Sequence, residues 1–131
     1  MTETAIKQLH LMPGLVSLPH LDLLHYLLSE SEGKHVAHCL DLDLVAVGED
    51  CDTAAKNLDS LVKAHIELAL ATQQLANLAT KAPQTFWNQY ADGTEIELQP
   101  RTLLIQIPES VQILPVAESR LRILARAAHA A

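Results

Sequence analysis

The chain has 131 residues, is 49% hydrophobic and 19% charged, and carries nine Lys+Arg against sixteen Asp+Glu. That length and balance fit one globular domain that needs no disulfide or metal to fold, and they exclude a disordered chain. The net charge of −7 disfavours a polyanion partner for the body of the protein and allows a basic protein partner, which an acidic face would steer.

Negative charge is concentrated in residues 1–50, while 101–131 are net positive through Arg101, Arg120, Arg122 and Arg126. Two cysteines, Cys39 and Cys51, make neither a disulfide framework nor a four-ligand zinc site, and both are expected free and packed. Leu9 to Leu21 is uncharged but short and broken by Pro13, Gly14 and Pro19, so no membrane span is expected. With no targeting segment, the cytoplasm is the expected compartment.

In chain order, Ala5 to Leu11 is a candidate strand, closed by the Pro13-Gly14 turn signal. The apolar run Leu23 to Leu28 reads as a strand, and Ser29-Glu30-Ser31-Glu32-Gly33 as a hairpin loop. Residues 34–40 and 42–47 follow as two more strands, with Asp41 at a bend between them. Gly48 ends the sheet segment. Asp50 is placed to cap a helix, because its carboxylate can accept the orphan N–H groups of the first turn. Ala54, Leu58, Leu61, Val62, Ile66 and Ala69 then recur at helical spacing, and the helix is expected to extend toward Leu78. Asn57, near the cap, is expected to bond a loop carbonyl and lock the strand–helix junction.

Pro83 and Gly93 bracket a short second helix, whose Phe86, Trp87 and Tyr90 are expected to form one hydrophobic plug. One or two strands are expected around Ile96, Leu98, Leu103, Ile105 and Ile107. After Pro108 and Pro115, Val116 to Ala130 reads as a C-terminal helix with Ala117, Leu121, Leu124, Ala125 and Ala128 on one side. The expected class is α+β: a small antiparallel β-sheet of β-β-β-α-β type, backed by one main helix, with an extra C-terminal helix, all in one domain.

Within this order, Glu32-Gly33, then Val36-Ala37-His38-Cys39 and Leu40-Asp41-Leu42-Asp43, lead to Gly48, Asp50, Ala54, Asn57 and Leu58. This succession resembles the HicB-like antitoxin domain, over residues 23–71 of the chain. In that family the capping residue is more often Thr; Asp50 serves the same physics. The resemblance implies a partial ribonuclease-H-like fold, a dimer or tetramer, and neutralisation of HicA, a small basic toxin that cuts messenger RNA. Many members also carry a C-terminal DNA-binding module. One helix after Pro108 is too little for a helix-turn-helix or a ribbon-helix-helix, so operator binding is not expected. The extension 72–131 lies outside the resemblance.

Several residues invite chemistry. His35, His38 and Cys39 suggest a metal, but strand neighbours diverge, and His35 and Cys39 on one side stand about 13 Å apart at about 3.3 Å per residue. Asp41 and Asp43 are expected to share a face, and with Asp50 or Asp52 they are candidate Mg²⁺ ligands of a nuclease. The acidic surface disfavours that, and the favoured reading makes Asp41 and Asp43 a solvated acidic edge that meets a basic partner. Ser17, Ser60 and Ser119 lack a nucleophile-elbow context. No enzymatic activity, cofactor or resident metal is expected. Three functions follow in order: a HicB-like protein-binding domain, an orphan self-associating structural or ligand-sensing domain, and a Mg²⁺-dependent nuclease. Unpaired strands at the sheet edges lead to the expectation of at least a symmetric dimer.

Overall fold

The structure is a computed structural model, and it describes residues 23–96, 102–106 and 118–128. Expectations for Ala5 to Leu11, Leu98, Ile107 and the Pro100 turn lie outside the described residues.

The elements are β1 (Leu23–Ser31), β2 (Lys34–Cys39), β3 (Leu44–Gly48), α1 (Cys51–Ala71), a 3₁₀ turn (Leu75–Leu78), α2 (Gln84–Asp92), β4 (Thr94–Glu95), β5 (Thr102–Gln106) and β6 (Glu118–Ala127). They form one six-stranded sheet in the order β3-β2-β1-β6-β4, with β5 also paired to β6. The α+β class read from the sequence holds, with α1 packed on the sheet and α2 as the additional helix.

β1 and β2 form a hairpin in which Ser31 pairs with Lys34, so the loop is only Glu32-Gly33. Both residues have positive φ, 52° and 80°. This is the twist that a two-residue turn between right-twisted strands demands, and glycine accepts it without strain. β1 therefore runs through Ser31, three residues past the apolar run that marks it in the sequence. β3 pairs antiparallel with β2, Val36 opposite Val47 and His38 opposite Val45.

The second expected strand pair is separated by a turn. Leu40 to Asp43 leave the ladder, and Asp43 takes φ 55°, which an aspartate tolerates better than a branched residue does. Gly48 closes β3 against α1: a Cβ there would lie 2.5 Å from the Ala54 backbone nitrogen. Only a residue without a side chain lets strand and helix approach this closely.

α1 starts where the sequence places it. Asp50 Oδ1 accepts the Thr53 N–H at 2.7 Å. Asn57 Nδ2 donates to the Val47 carbonyl at 2.8 Å, the expected lock. Ala54, Leu58, Val62, Ile66 and Ala69 are buried against Leu24, Tyr26, Leu28, Ala37 and Cys39 of the sheet. Tyr26, wholly buried, keeps its hydroxyl satisfied by donating to Asp59 Oδ1 at 2.8 Å. The α-helix ends at Ala71, and the approach to Leu78 is a 3₁₀ turn.

The C-terminal helix is corrected. Residues 118–127 form β6, which lies parallel to β1 with Leu24 opposite Ile123 and Tyr26 opposite Ala125. The local composition, rich in Ala, Leu and Arg, favours a helix. The same residues also alternate: Leu121 and Ala125 are buried with Ile123 packed against the same core, while Arg122 and Leu124 are exposed. β1 is buried and needs a hydrogen-bonding partner along its second edge, and β6 supplies it. β5 then covers the outer side of β6, Leu103 opposite Leu121.

Candidate functional site

Leu24, Tyr26 and Leu28 of β1 face α1, so His25 and Leu27 face the other side of the sheet. On β2, Ala37 and Cys39 face α1 and His38 faces away. This second face is where the titratable side chains converge. α2 lies over it: Phe86 stands edge-on to His38 at 4.7 Å between ring centroids, and Trp87 and Tyr90 stand edge-on to His25 at 5.4 and 5.3 Å. Leu27, Leu40 and Ala82 are the buried apolar residues beneath. The aromatic plug of the sequence reading is thus a roof over two histidines.

Each histidine meets one of the two aspartates expected at the surface. Asp41 Oδ1 accepts the His25 backbone N–H at 2.6 Å, and Oδ2 lies 3.1 Å from His25 Nδ1. Asp43 Oδ1 lies 2.7 Å from His38 Nε2. The environments differ. Asp41 is buried, whereas the Asp43 side chain is 37% exposed. The solvated edge therefore contains Asp43 but not Asp41, which turns inward because the Leu40 carbonyl accepts from the Ala82 N–H and leaves the His25 N–H to the Asp41 carboxylate.

The candidate Mg²⁺-binding carboxylates, disfavoured from the sequence, are not brought together. Asp41 and Asp43 point to different histidines. Asp50 and Asp52 lie at the other end of β3, about 16 Å away at about 3.3 Å per residue. Asp50 is occupied in capping, and the Thr53 backbone N–H holds its carboxyl below the usual range. Among the described residues, no group of three His, Cys, Asp or Glu side chains is arranged to hold a metal ion.

His35 and Cys39 do not meet, as strand geometry requires. Cys39 is wholly buried, and burial first, then the Asp41 charge, pushes its thiol up to about 12. His35 instead meets Cys51 in the first turn of α1, Nδ1 to Sγ at 3.5 Å, while its Nε2 lies 3.4 Å from Glu30 Oε2. Burial raises the Cys51 thiol, and Glu30, Asp50 and Asp52 raise it further, so the thiolate is disfavoured there.

The accessible negative charge gathers around this corner. The hairpin brings Glu30 and Glu32, and the β3–α1 junction brings Glu49, Asp50 and Asp52; all five are exposed. Register causes the meeting, since His35 pairs with Gly48 and so sets the β1–β2 turn beside the start of α1. Lys34, bonded to Glu49, and Lys56 are the cations nearby in sequence. Beside this corner runs β3, one edge of the sheet, with Val45 and Val47 48% and 53% exposed.

Sequence reasoning missed the two histidine–aspartate pairs. The one available signal was the placement of His25 and His38 on the polar-facing parity of apolar strands. The acidic corner was missed because it joins segments about 20 residues apart. Among the described residues, no helix is long and apolar enough to cross a membrane. No family model, curated protein or solved structure matches this chain.

Proposed function

We propose that this chain is a non-enzymatic, HicB-like protein-binding domain, and that it acts as an antitoxin by covering a small basic toxin of the HicA type. The observation that carries this reading is the acidic corner: Glu30, Glu32, Glu49, Asp50 and Asp52, all exposed where the β1–β2 hairpin meets the start of α1. A preformed face of one sign steers an oppositely charged partner and lowers the ordering cost of docking. Asp43 extends the same sign to the far end of β3, replacing the Asp41–Asp43 pair as the acidic edge. The layout of a sheet backed by one long helix is the one the resemblance implies. The nuclease reading loses its motive, because its carboxylates are engaged by His25, His38 and a helix cap.

The test is co-expression of the full chain with the product of a small basic reading frame beside its gene. A stable complex that suppresses the partner's RNA cleavage is the expected result. Separate elution of the two proteins at micromolar concentration overturns the reading.

A second reading, an orphan self-associating structural or ligand-sensing domain, is favoured by the outer side of α1. Leu61 and Leu68 are 39% and 64% exposed there, seven residues apart on one side of the helix. Co-expression separates the two: an orphan domain forms no complex with a neighbouring gene product, and its self-association through α1 gives a dimer or tetramer by light scattering that Leu68→Glu returns to monomer.

A further inference from the structure

Among the described residues β3 is an edge strand, and the direction of its backbone groups follows from the ladder. The Leu40 N–H donates to the His25 carbonyl at 2.9 Å. In an antiparallel sheet alternate residues turn to opposite neighbours. Even-numbered residues of β2 therefore turn to β1, and His35, Ala37 and Cys39 turn to β3. Their partners are Gly48, Ala46 and Leu44. Val45 and Val47 are left with their N–H and C=O groups directed away from the sheet. The Val47 carbonyl is taken by Asn57. The Val45 N–H and C=O and the Val47 N–H remain directed outward.

Sheet edges are usually blunted by proline, lysine, a bulge or a cover. Leu44-Val45-Ala46-Val47-Gly48 has no proline and no charge. Its outer valines stand half exposed on the side of the sheet that carries α2. The charge lies at the two ends: Asp43 before the strand, bonded to His38 with its side chain 37% exposed, and Glu49 after it, bonded to Lys34 and 76% exposed.

We propose that the outer edge of β3 accepts an extended segment of a basic protein as an added strand. Apolar side chains of that segment lie beside Val45 and Val47, and basic side chains at its two ends face Asp43 and Glu49. This inference rests on the basic-partner reading above and specifies how the partner docks. Charge complementarity selects the occupant. A second copy of β3, aligned antiparallel over all five residues, sets Asp43 of each copy opposite Glu49 of the other, and like charges facing across strands are unfavourable. A segment with an arginine or lysine at each end makes opposite pairs at both. Main-chain bonds supply the affinity and the valine row supplies the register.

The experiment uses the full chain labelled with ¹⁵N at low salt. The probes are a capped peptide Arg-Ile-Thr-Ile-Thr-Ile-Arg and the same peptide with glutamate at both ends. The basic peptide is expected to bind at least tenfold more tightly. It is also expected to slow amide exchange of Val45 and Val47 at least tenfold, with little change at Ala46, whose N–H already faces β2. Val45→Lys, an exposed change that leaves the fold intact by circular dichroism, is expected to abolish both effects.

The proposal is overturned if neither peptide binds or if the glutamate peptide binds as well. It is also overturned if the basic peptide shifts Glu30 and Asp52 while the valine amides stay unprotected. Protection of Val45 and Val47 before any peptide is added overturns it too, assigning the edge to a second copy if concentration-dependent and to the chain's own cover if not. Co-purification with the basic partner tests the underlying reading separately, so a failure here and a failure there are distinct.

Discussion

At the scale of single residues, burial separates two aspartates that the sequence presents as equivalents. Asp41 is buried and holds the His25 backbone N–H, whereas Asp43 is partly exposed and bonds the buried His38. Removing the acceptor from a buried donor costs about 1–3 kcal/mol, whereas an amide in place of a partly exposed carboxylate keeps an oxygen that can still accept a hydrogen bond. Asp41→Ala is therefore expected to lower stability by about 2 kcal/mol in urea denaturation. Asp43→Asn, which keeps a residue suited to left-handed backbone, should cost under about 1 kcal/mol. Equal losses would contradict the assigned environments.

The same scale sets the response to acid. The Thr53 N–H holds Asp50 low. Burial pushes Glu67 up, but bonds from Lys63 and the Gln106 N–H outweigh it and leave its carboxyl below the usual range. A group with a depressed folded pKa stabilises above its unfolded pKa, about 3.9 for Asp and 4.3 for Glu, and that stability is lost as pH falls through the folded value. The melting temperature is expected to be level from these two groups above about pH 5 and to fall below about pH 4. Asp50→Asn keeps an effective cap without the titration, so it should make that acid-side fall shallower.

At the scale of elements, α1 and α2 are held differently. α1 buries an entire side, including Leu58, Val62 and Ile66 with no exposed surface. α2 buries no residue fully and rests on the sheet through Phe86, Trp87 and Tyr90, with Arg126 stacked 5.0 Å above the Tyr90 ring. Local stability follows buried apolar contact. Backbone amides of α2 are therefore expected to exchange with solvent well before those of α1. Trp87→Ala, which removes the ring on His25 and its bond to the Ala82 carbonyl, should raise α2 exchange toward the unprotected rate while β1 and α1 remain protected. Simultaneous loss of protection in all three would show that α2 belongs to the core.

The first three strands, the capped helix and the short aromatic helix were legible because each has local signals: a Glu-Gly turn, Asp50 before a helical stripe, and Pro83 with Gly93. β6 was not. Leu121, Leu124 and Ala125 fit a helical stripe while Leu121, Ile123 and Ala125 fit a strand. Only the open second edge of β1, nearly a hundred residues earlier, decides between them.

At the scale of the whole molecule, the fold assembles an electrostatic face from separate segments. The hairpin end and the start of α1 meet because β2 and β3 pair in one register. Long-range attraction between opposite charges raises association rates and weakens with salt. Reversing two exposed members, Glu30→Lys with Glu49→Lys, is expected to slow association with a basic partner at least tenfold at low salt, and stopped-flow mixing measures it. A rate unchanged by the reversal would place the docking surface elsewhere.

The amino-acid sequence by itself determined the class of the protein, the presence of its first hairpin, the start of its main helix, and its acidic sign. Those depend on neighbours within a few residues: turn conformations, capping groups and hydrophobic period. The tertiary structure alone decided that residues 118–127 are a strand, that Asp41 is buried while Asp43 is not, and that five acids share one corner. Each of these depends on which backbone hydrogen bonds remain unsatisfied after the strands have paired, and that is a property of the assembled sheet.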